Sequence, residues 1–460
     1  MPQFDQSEYI NLAAEVAAAR ARGAKPLACT HTYGCQGNVS DGERINGLLE
    51  AMGYGFTDEP AEADLILYNT CAVREHAEDR VFGNVGALKH IKRKYPDTVI
   101  ALCGCMVQQE HVVKRLYDSY PYVSLVFGTH VIHRLPELLY KTLSGGKRVY
   151  ELSCEDATVH EEVPVRRDGD IRAWLPIMYG CENFCSYCVV PYVRGRERSR
   201  DADSVAAEFE SILAAGYKDI TLLGQNVNSY MRKESGVSQF PQMLTRLDSY
   251  EGEYWLRFMT SHPKDCSAEL IEAMANSKHA ARHLHLPFQS GDNEILRRMN
   301  RKYTREKYLS LIELAREKMP DISITSDVIV GFPGETDEQF RNTLDLIKEV
   351  GFTSLFTFIY SKRRGTPAAN MEDPISDKEK SDRMGELLKL QESIAAQRCA
   401  AMVGSVQRVL AEKELRQGVL SCRTSGNIIV ETEADASLVG TFLDAKITEA
   451  KNWILKGKVN

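Results

Sequence analysis

Cys35, Cys71 and Cys105 each stand just past a short apolar run, and the stretches between those runs carry the spacing of amphipathic helices. The runs Pro26–Thr32, Asp64–Asn69, Thr98–Leu102 and Val123–Phe127 predict strands, and Asp41–Met52 and Arg74–Lys94 predict helices. Strands joined by helical crossovers must run the same way, so this βαβα alternation requires a parallel sheet. In an open sheet of that kind ligand crevices form at the C-terminal strand edge. The pattern therefore carries three cysteines that are distant in sequence to one edge.

A second set of three is compact: Cys181, Cys185 and Cys188, in the run Gly-Cys-Glu-Asn-Phe-Cys-Ser-Tyr-Cys. A closed zinc site or a plain iron–sulfur cluster takes four protein ligands. Three thiolates on a four-iron cluster leave one iron open, and an open metal position marks a catalytic centre. Two such triplets in one chain suggest a two-cluster enzyme. The alternative for the compact set is zinc with a distant fourth ligand, His160 or Cys154. Cys103 lies on a strand rather than beyond it and reads as packing. Cys29, Cys154, Cys266, Cys399 and Cys422 read as small core hydrophobes.

The rest of the 460 residues divides by pattern. Residues 1–25 form a polar helical extension with Asp5, Glu8, Glu15, Arg20 and Arg22, without the apolar core of a signal peptide. The sheet domain spans 26–144. A linker is expected over 145–166, from the Ser144-Gly-Gly-Lys147 turn through the acidic Glu151–Glu162 stretch. Residues 167–398 hold six strand–helix units, with strands near Trp174–Met178, Asp219–Leu223, Trp255–Met259, His283–Phe288, Ile322–Val330 and Thr353–Tyr360. Six units are too few for an eight-fold barrel, so an open (β/α)6 partial TIM barrel is expected, with the compact triplet on its C-terminal rim. After a charged helix over Ser376–Gln397, residues 400–460 alternate with period two between glycine turns and predict a small antiparallel β-barrel.

A net charge of −7 excludes a global field drawing the chain to nucleic acid or anionic lipid, so RNA binding must come from local patches. No run approaches the ~18 apolar residues of a membrane span. With no export signal, the twelve cysteines are expected reduced in the cytoplasm, as ligands or core residues.

The compact triplet, its place after the first barrel strand and Tyr187 before its last cysteine resemble the radical S-adenosylmethionine (SAM) superfamily. The words Tyr33-Gly-Cys35-Gln-Gly-Asn, Tyr68-Asn-Thr-Cys71-Ala-Val-Arg-Glu and Leu102-Cys-Gly-Cys105-Met look like the N-terminal domain of the radical SAM methylthiotransferases. The six-unit barrel and an OB-like terminal barrel, the TRAM RNA-binding module, complete that architecture from Lys25 to Asn460. Gly37 stands where the family often has Met, and Val107 where Ala is common; neither change removes a ligand. Cys188-Val-Val-Pro-Tyr-Val-Arg-Gly-Arg-Glu-Arg-Ser-Arg200, with Asn69–Glu75, Thr336 and Tyr360–Pro367, is most similar to the subgroup acting on isopentenylated adenosine 37 of tRNA. Other subgroups act on threonylcarbamoyl adenosine of tRNA or an aspartate of a ribosomal protein.

The resemblance implies two [4Fe–4S] clusters and SAM as cofactors. Cys181, Cys185 and Cys188 would hold the radical-generating cluster, and Cys35, Cys71 and Cys105 an auxiliary cluster that presents sulfur. One SAM would methylate that sulfur; a second would be cleaved to a 5′-deoxyadenosyl radical that takes hydrogen from C2 of the adenosine, which then acquires the methylthio group. Gln225, Asn228, Ser261, His262, Gln289 and Gly331 lie in words that end barrel strands and resemble SAM- or substrate-contacting stretches, as do His285 and Asp327. Arg194, Arg196, Arg198 and Arg200 form a run suited to RNA phosphate, with local ion pairing as the alternative. The expected partners are a tRNA anticodon stem-loop and an external electron donor such as flavodoxin or ferredoxin, with the chain a monomer and no membrane. A non-enzymatic iron–sulfur RNA-binding protein and a redox shuttle stand as readings from other classes.

Overall fold

The computed structural model describes residues 6–72, 75–153, 158–169, 171–232 and 236–459. The chain forms two compact units: Met1–Asp168 with Met178–Glu182 and Val189–Ser204, and Gly169–Ile177 with Asn183–Cys188 and Val205–Asn460.

The first unit is built on a six-stranded parallel sheet. Its strands are Leu27–Thr32, Gly55–Phe56, Leu65–Thr70, Val99–Gly104, Leu125–Phe127 and Val149–Glu151, in spatial order second, first, third, fourth, fifth, sixth. Alternate residues of the central strands go to opposite faces, so each strand feeds two cores. Leu65, Leu67, Val99, Ala101 and Cys103 pack with Ile45, Leu48 and Leu49 of helix Gln36–Ala51 on one side. Ile66, Tyr68, Ile100 and Leu102 pack with Val81, Phe82 and Val85 of helix Glu75–Ala87 on the other. The helices after the first and third strands therefore leave in opposite directions, which makes the gap between those two strand ends the topological switch point of a doubly wound sheet. Cys103 is fully buried in its strand, as a packing residue should be.

Val149–Glu151 lies inside the stretch read from sequence as a linker but pairs in register with Leu125–Phe127. A three-residue edge strand is too short to show period-two alternation, and so is the two-residue strand Gly55–Phe56. The single helix expected over Arg74–Lys94 is two, Glu75–Ala87 and Lys89–Lys94; Arg74 lies outside the described residues.

In the second unit six parallel strands, Arg172–Pro176, Asp219–Leu223, Trp255–Phe258, His283–His285, Ser323–Val330 and Ser354–Ile359, form two three-stranded sheets joined by the isolated bridge Leu256–Ala280. Among the described residues the first and last of these strands do not pair, so the barrel is open. Helix Asp377–Ala401, capped by the Ser376 hydroxyl, leads to a closed five-stranded barrel. That barrel is not wholly antiparallel: Ile429–Glu433 and Ile454–Val459 pair parallel to close it.

The small barrel docks at the N-terminal ends of the (β/α)6 strands. Buried Arg257 donates to Asp219 Oδ1 at 2.8 Å and to the carbonyls of Ser425 and Thr424 at 2.7 and 3.1 Å. Trp255 meets Phe442 edge-on, and Arg172 pairs with Glu412. Arg257→Met leaves buried Asp219 with only the longer 3.7 Å pairing to Arg172 and takes the Arg257 donor from the Ser425 carbonyl, while Thr424 O keeps the Asn427 N–H. It is expected to cost about 3–5 kcal/mol, read by denaturant unfolding, and to hasten proteolytic release of the terminal barrel.

Candidate functional site

The first triplet gathers at the switch point. Cys35 caps helix Gln36–Ala51, Cys71 follows strand Leu65–Thr70, and Cys105 follows strand Val99–Gly104. Asn38 ties the group together. Its Oδ1 accepts from the Cys35 and Cys105 thiols, each at 3.7 Å, and its amide donates to the carbonyls of Tyr33 and Thr70 at 3.1 and 2.9 Å. Cys35 is exposed while Cys71 and Cys105 are buried, so the group has one open side. A hydrogen bond from Cys71 and the charge of Arg194 overcome burial and bring the Cys35 thiol down to about 5. Burial holds Cys105 above its usual range despite the same arginine.

Glycines clear the space. Gly34 and Gly104 precede Cys35 and Cys105 at φ of +117° and +98°, in the left-handed region that favours glycine. A Cβ on Gly34 would sit 2.8 Å from Cys71 Sγ, and one on Gly104 would sit 2.6 Å from Asn69 Oδ1. Thiols brought together at a cradle a methyl group would fill are a fitting donor set for an iron–sulfur cluster with an open position.

The arginine run behaves differently from its sequence expectation. Arg194, only 5% exposed, pairs with Asp41 at 2.6 Å, and Arg200, 3% exposed, pairs with Glu161 at 2.6 Å. Neither is placed to meet a phosphate, because both guanidiniums are consumed inside the protein. Arg196 is exposed, and Arg198 is half-buried and donates to Arg194 O at 3.3 Å.

The compact triplet is divided between the units, Cys181 in the first and Cys185 and Cys188 in the second. Cys181 follows Gly180, at φ +77°, and its N–H donates to Gly195 O at 3.1 Å. Cys185 and Cys188 share a turn closed by Cys188 N–H to Cys185 O at 2.9 Å. Buried Arg301 lies against this turn, donating to Cys185 Sγ at 3.4 Å and to Pro287 O at 2.9 Å, with its Nε 3.3 Å from Tyr303 Oη. Among the described residues no three His, Cys, Asp or Glu side chains group tightly enough to enclose a single ion, as zinc requires. His160 stacks on His133 at 3.6 Å, and Cys154 lies outside the described residues.

At the tips of the second and third barrel strands the polar residues are buried with unmet hydrogen-bonding capacity. Asn226 Oδ1, both amide atoms of Asn228, Ser261 Oγ and His262 Nε2 have no partner among the described residues. Each such orphan costs about 1–3 kcal/mol, so the cluster is built for a polar occupant. Burial and the nearby Arg301 keep the His262 ring neutral, far below the usual histidine range. Its Nδ1 accepts from Lys264 N–H, which puts the proton on Nε2 and leaves that atom a donor. Donors and acceptors of both kinds match a zwitterionic, ribose-bearing cofactor such as SAM. Gln225 is half-buried on the same loop.

Gln289 and Gly331 have other duties. Buried Gln289, at φ +63°, bridges Val328 through its backbone and hydrogen-bonds Asp327, whose carboxyl burial pushes up to about 6. Asp327 also lies 3.5 Å from the His285 ring, which burial lowers to about 4. Gly331 donates its N–H to Glu335 Oε2 at 2.9 Å and lets helix Asp377–Ala401 approach, since a Cβ there would meet Lys380 Cγ at 2.5 Å. Asn38, Asp41, Arg301 and Tyr303 were missed from sequence. Polar residues scattered through helices and loops carry no spacing signal; only the folded chain shows them against the sulfurs.

The chain matches three known families along its length: the uncharacterized protein family UPF0004 over residues 28–128, the Radical SAM superfamily over 175–347 and the TRAM domain over 400–459. It is 47% identical over 430 residues to the tRNA-2-methylthio-N(6)-dimethylallyladenosine synthase of Thermoanaerobacter sp. (strain X514), covering 93% of this chain and 91% of that one. It is 45% identical over 458 residues to the synthase of the same name from Acetivibrio thermocellus, covering 99% and 95%. Among solved structures it resembles the radical S-adenosylmethionine methyltransferase TsrM from Kitasatospora setae, with a TM-score of 0.56 and 17% identity over 75% of this chain and 74% of that one, which speaks to the fold alone.

Proposed function

The chain belongs to the radical SAM methylthiotransferases of the tRNA-2-methylthio-N(6)-dimethylallyladenosine synthase family, and we propose that it places a methylthio group on C2 of N6-isopentenyladenosine 37 in tRNA. Cys181, Cys185 and Cys188 would hold the [4Fe–4S] cluster that supplies the electron for SAM cleavage, and Cys35, Cys71 and Cys105 the one that presents sulfur. The observation that carries this reading is the gathering of Cys35, Cys71 and Cys105 at a switch point, in a chain that also carries the compact triplet.

The protein's own work is placement. Asn226, Asn228, Ser261 and His262 offer complementary donors and acceptors to the amino-acid and ribose groups of SAM, holding it rather than reacting with it. Arg301 keeps a fixed positive charge against Cys185. Fixing reactants in this way supplies much of the barrier reduction open to a protein whose cofactors carry the chemistry. An anticodon-loop adenosine is already unpaired and splays out at a cost of a few kcal/mol or less. Arg196, the exposed arginine of the run, is the one offered to its phosphates. The chain works as a monomer in the cytoplasm with an external donor such as flavodoxin or ferredoxin; among the described residues no helix is long and apolar enough to cross a membrane.

The test is to give the iron-loaded protein SAM, a reductant and a stem-loop RNA carrying N6-isopentenyladenosine. The expected products are methionine, 5′-deoxyadenosine and the 2-methylthio nucleoside, identified by mass spectrometry. Thiolation of a threonylcarbamoyl-adenosine RNA in its place would move the chain to the other tRNA subgroup. RNA binding without SAM consumption would return it to the non-enzymatic reading.

A further inference from the structure

Arg194 is buried and turned toward sulfur. It ends the short helix Val190–Arg194, whose Val193, with the preceding Val189, packs in one apolar cluster with Ala72 and Cys105. That packing aims the guanidinium inward. Its Nε–H donates to Cys105 Sγ at 3.0 Å, one terminal nitrogen donates to Asn38 Oδ1 at 3.1 Å, and the ion pair with Asp41 closes at 2.6 Å. The same Asn38 oxygen lies 3.7 Å from both Cys35 and Cys105 sulfurs. The guanidinium is thus a buried, permanently charged fork with one edge on a sulfur and another on a carboxylate.

If Arg194 only neutralised Asp41, its Nε would have no need of a sulfur partner; a bidentate grip on the carboxylate would serve better. The potential of an iron–sulfur cluster is set by net charge, by hydrogen bonds to its sulfurs and by solvent exposure. Arg194 supplies the first two together, in a site where burial weakens screening. We infer that Arg194 is a positioning residue that raises the reduction potential of the group held by Cys35, Cys71 and Cys105, and that Asp41 tempers that effect. The inference rests on the ligand set proposed above. Removing a positive charge beside the cluster disfavours its more negative, reduced form. Removing the carboxylate leaves the arginine's charge uncompensated and favours that form. The two substitutions must therefore act in opposite directions.

The experiment uses the full chain with Cys181, Cys185 and Cys188 all changed to Ala, loaded with iron and sulfide, so that one cluster remains to be titrated. Its potential is followed by electron paramagnetic resonance in three forms: this parent, the parent with Arg194→Gln and the parent with Asp41→Asn. Arg194→Gln is expected to shift the reduction equilibrium at least about tenfold toward the oxidised form, which is about 59 mV for a one-electron couple. Asp41→Asn is expected to shift it toward the reduced form. Should Arg194→Gln hold no cluster, the direction given by Asp41→Asn decides alone. Shifts in the same direction, or none beyond about threefold, would leave Arg194 a structural clamp and overturn the inference while the ligand set stands. A parent that takes up no four-iron cluster overturns the ligand set and the inference with it.

Discussion

Cys71→Ala protein is expected to go on cleaving SAM at close to the parent rate while forming no detectable methylthio nucleoside. Cys71 sits at the buried tip of strand Leu65–Thr70, and removing its sulfur deletes one heavy atom from a sheet whose central strands are filled on both faces. By comparison with single-methyl deletions the cost is about 1 kcal/mol, so the fold survives and the loss is chemical. Two thiolates then remain at the switch point, too few to hold a four-iron cluster with one open position. In the proposed assignment, cleavage of SAM calls only on the compact triplet and the polar group of Asn226, Asn228, Ser261 and His262. Cys185→Ala should give the mirror result: no 5′-deoxyadenosine, with about four of the roughly eight irons of two such clusters retained. Quantifying 5′-deoxyadenosine and the modified nucleoside in one reaction separates the cases. Methylthio product from Cys71→Ala at even a hundredth of the parent rate would remove that residue from the sulfur-presenting site.

Much of this was legible because strand tips carry their own punctuation. Cys35, Cys71 and Cys105 could be placed on one edge once the apolar runs before them were read as parallel strands. The polar words ending the barrel strands include Asn226, Asn228, Ser261 and His262, whose buried polar atoms the fold leaves with unmet hydrogen-bonding capacity. What could not be read was direction. The Arg194–Arg200 run reads as a cationic patch, since a one-dimensional charge count takes arginines to be solvated. In the fold, Arg194 and Arg200 turn inward because Asp41 and Glu161, distant in sequence, wait there. Helix Gln36–Ala51 was expected to begin only at Asp41 for a related reason. Its first turns carry buried Ser40 and Asn38, the latter set against the Cys35 and Cys105 sulfurs, and the buried apolar stripe begins at Ile45. Functional polarity there masks helical periodicity. The short edge strands and the parallel pair closing the terminal barrel depend on pairing partners, which no local window contains.

Replacing Gly34 with Ala is expected to strip the auxiliary iron while leaving SAM cleavage intact, and the reason separates two effects of one methyl group. At φ +117° any side chain strains the backbone, for about 1–2 kcal/mol. That alone would lower stability without touching iron. Gly53 provides the comparison: it stands at φ +82° with nothing within 4 Å of where a Cβ would go, so Gly53→Ala should lose stability and keep all its iron. At Gly34 the new Cβ would lie 2.8 Å from Cys71 Sγ and beside Cys71 Cβ, so the proposed ligand itself must move. Gly180, before Cys181, tests the same logic at the other triplet. A Cβ there would meet the Arg196 backbone, with its carbonyl carbon at 2.5 Å, so the turn must open and Cys181 must shift. Gly34→Ala should therefore hold about four irons per chain and still make 5′-deoxyadenosine. Gly180→Ala should hold about the same number and make none. Iron analysis beside the cleavage assay decides it: if Gly34→Ala keeps a full complement of iron, the cradle at the switch point is not where the second cluster sits.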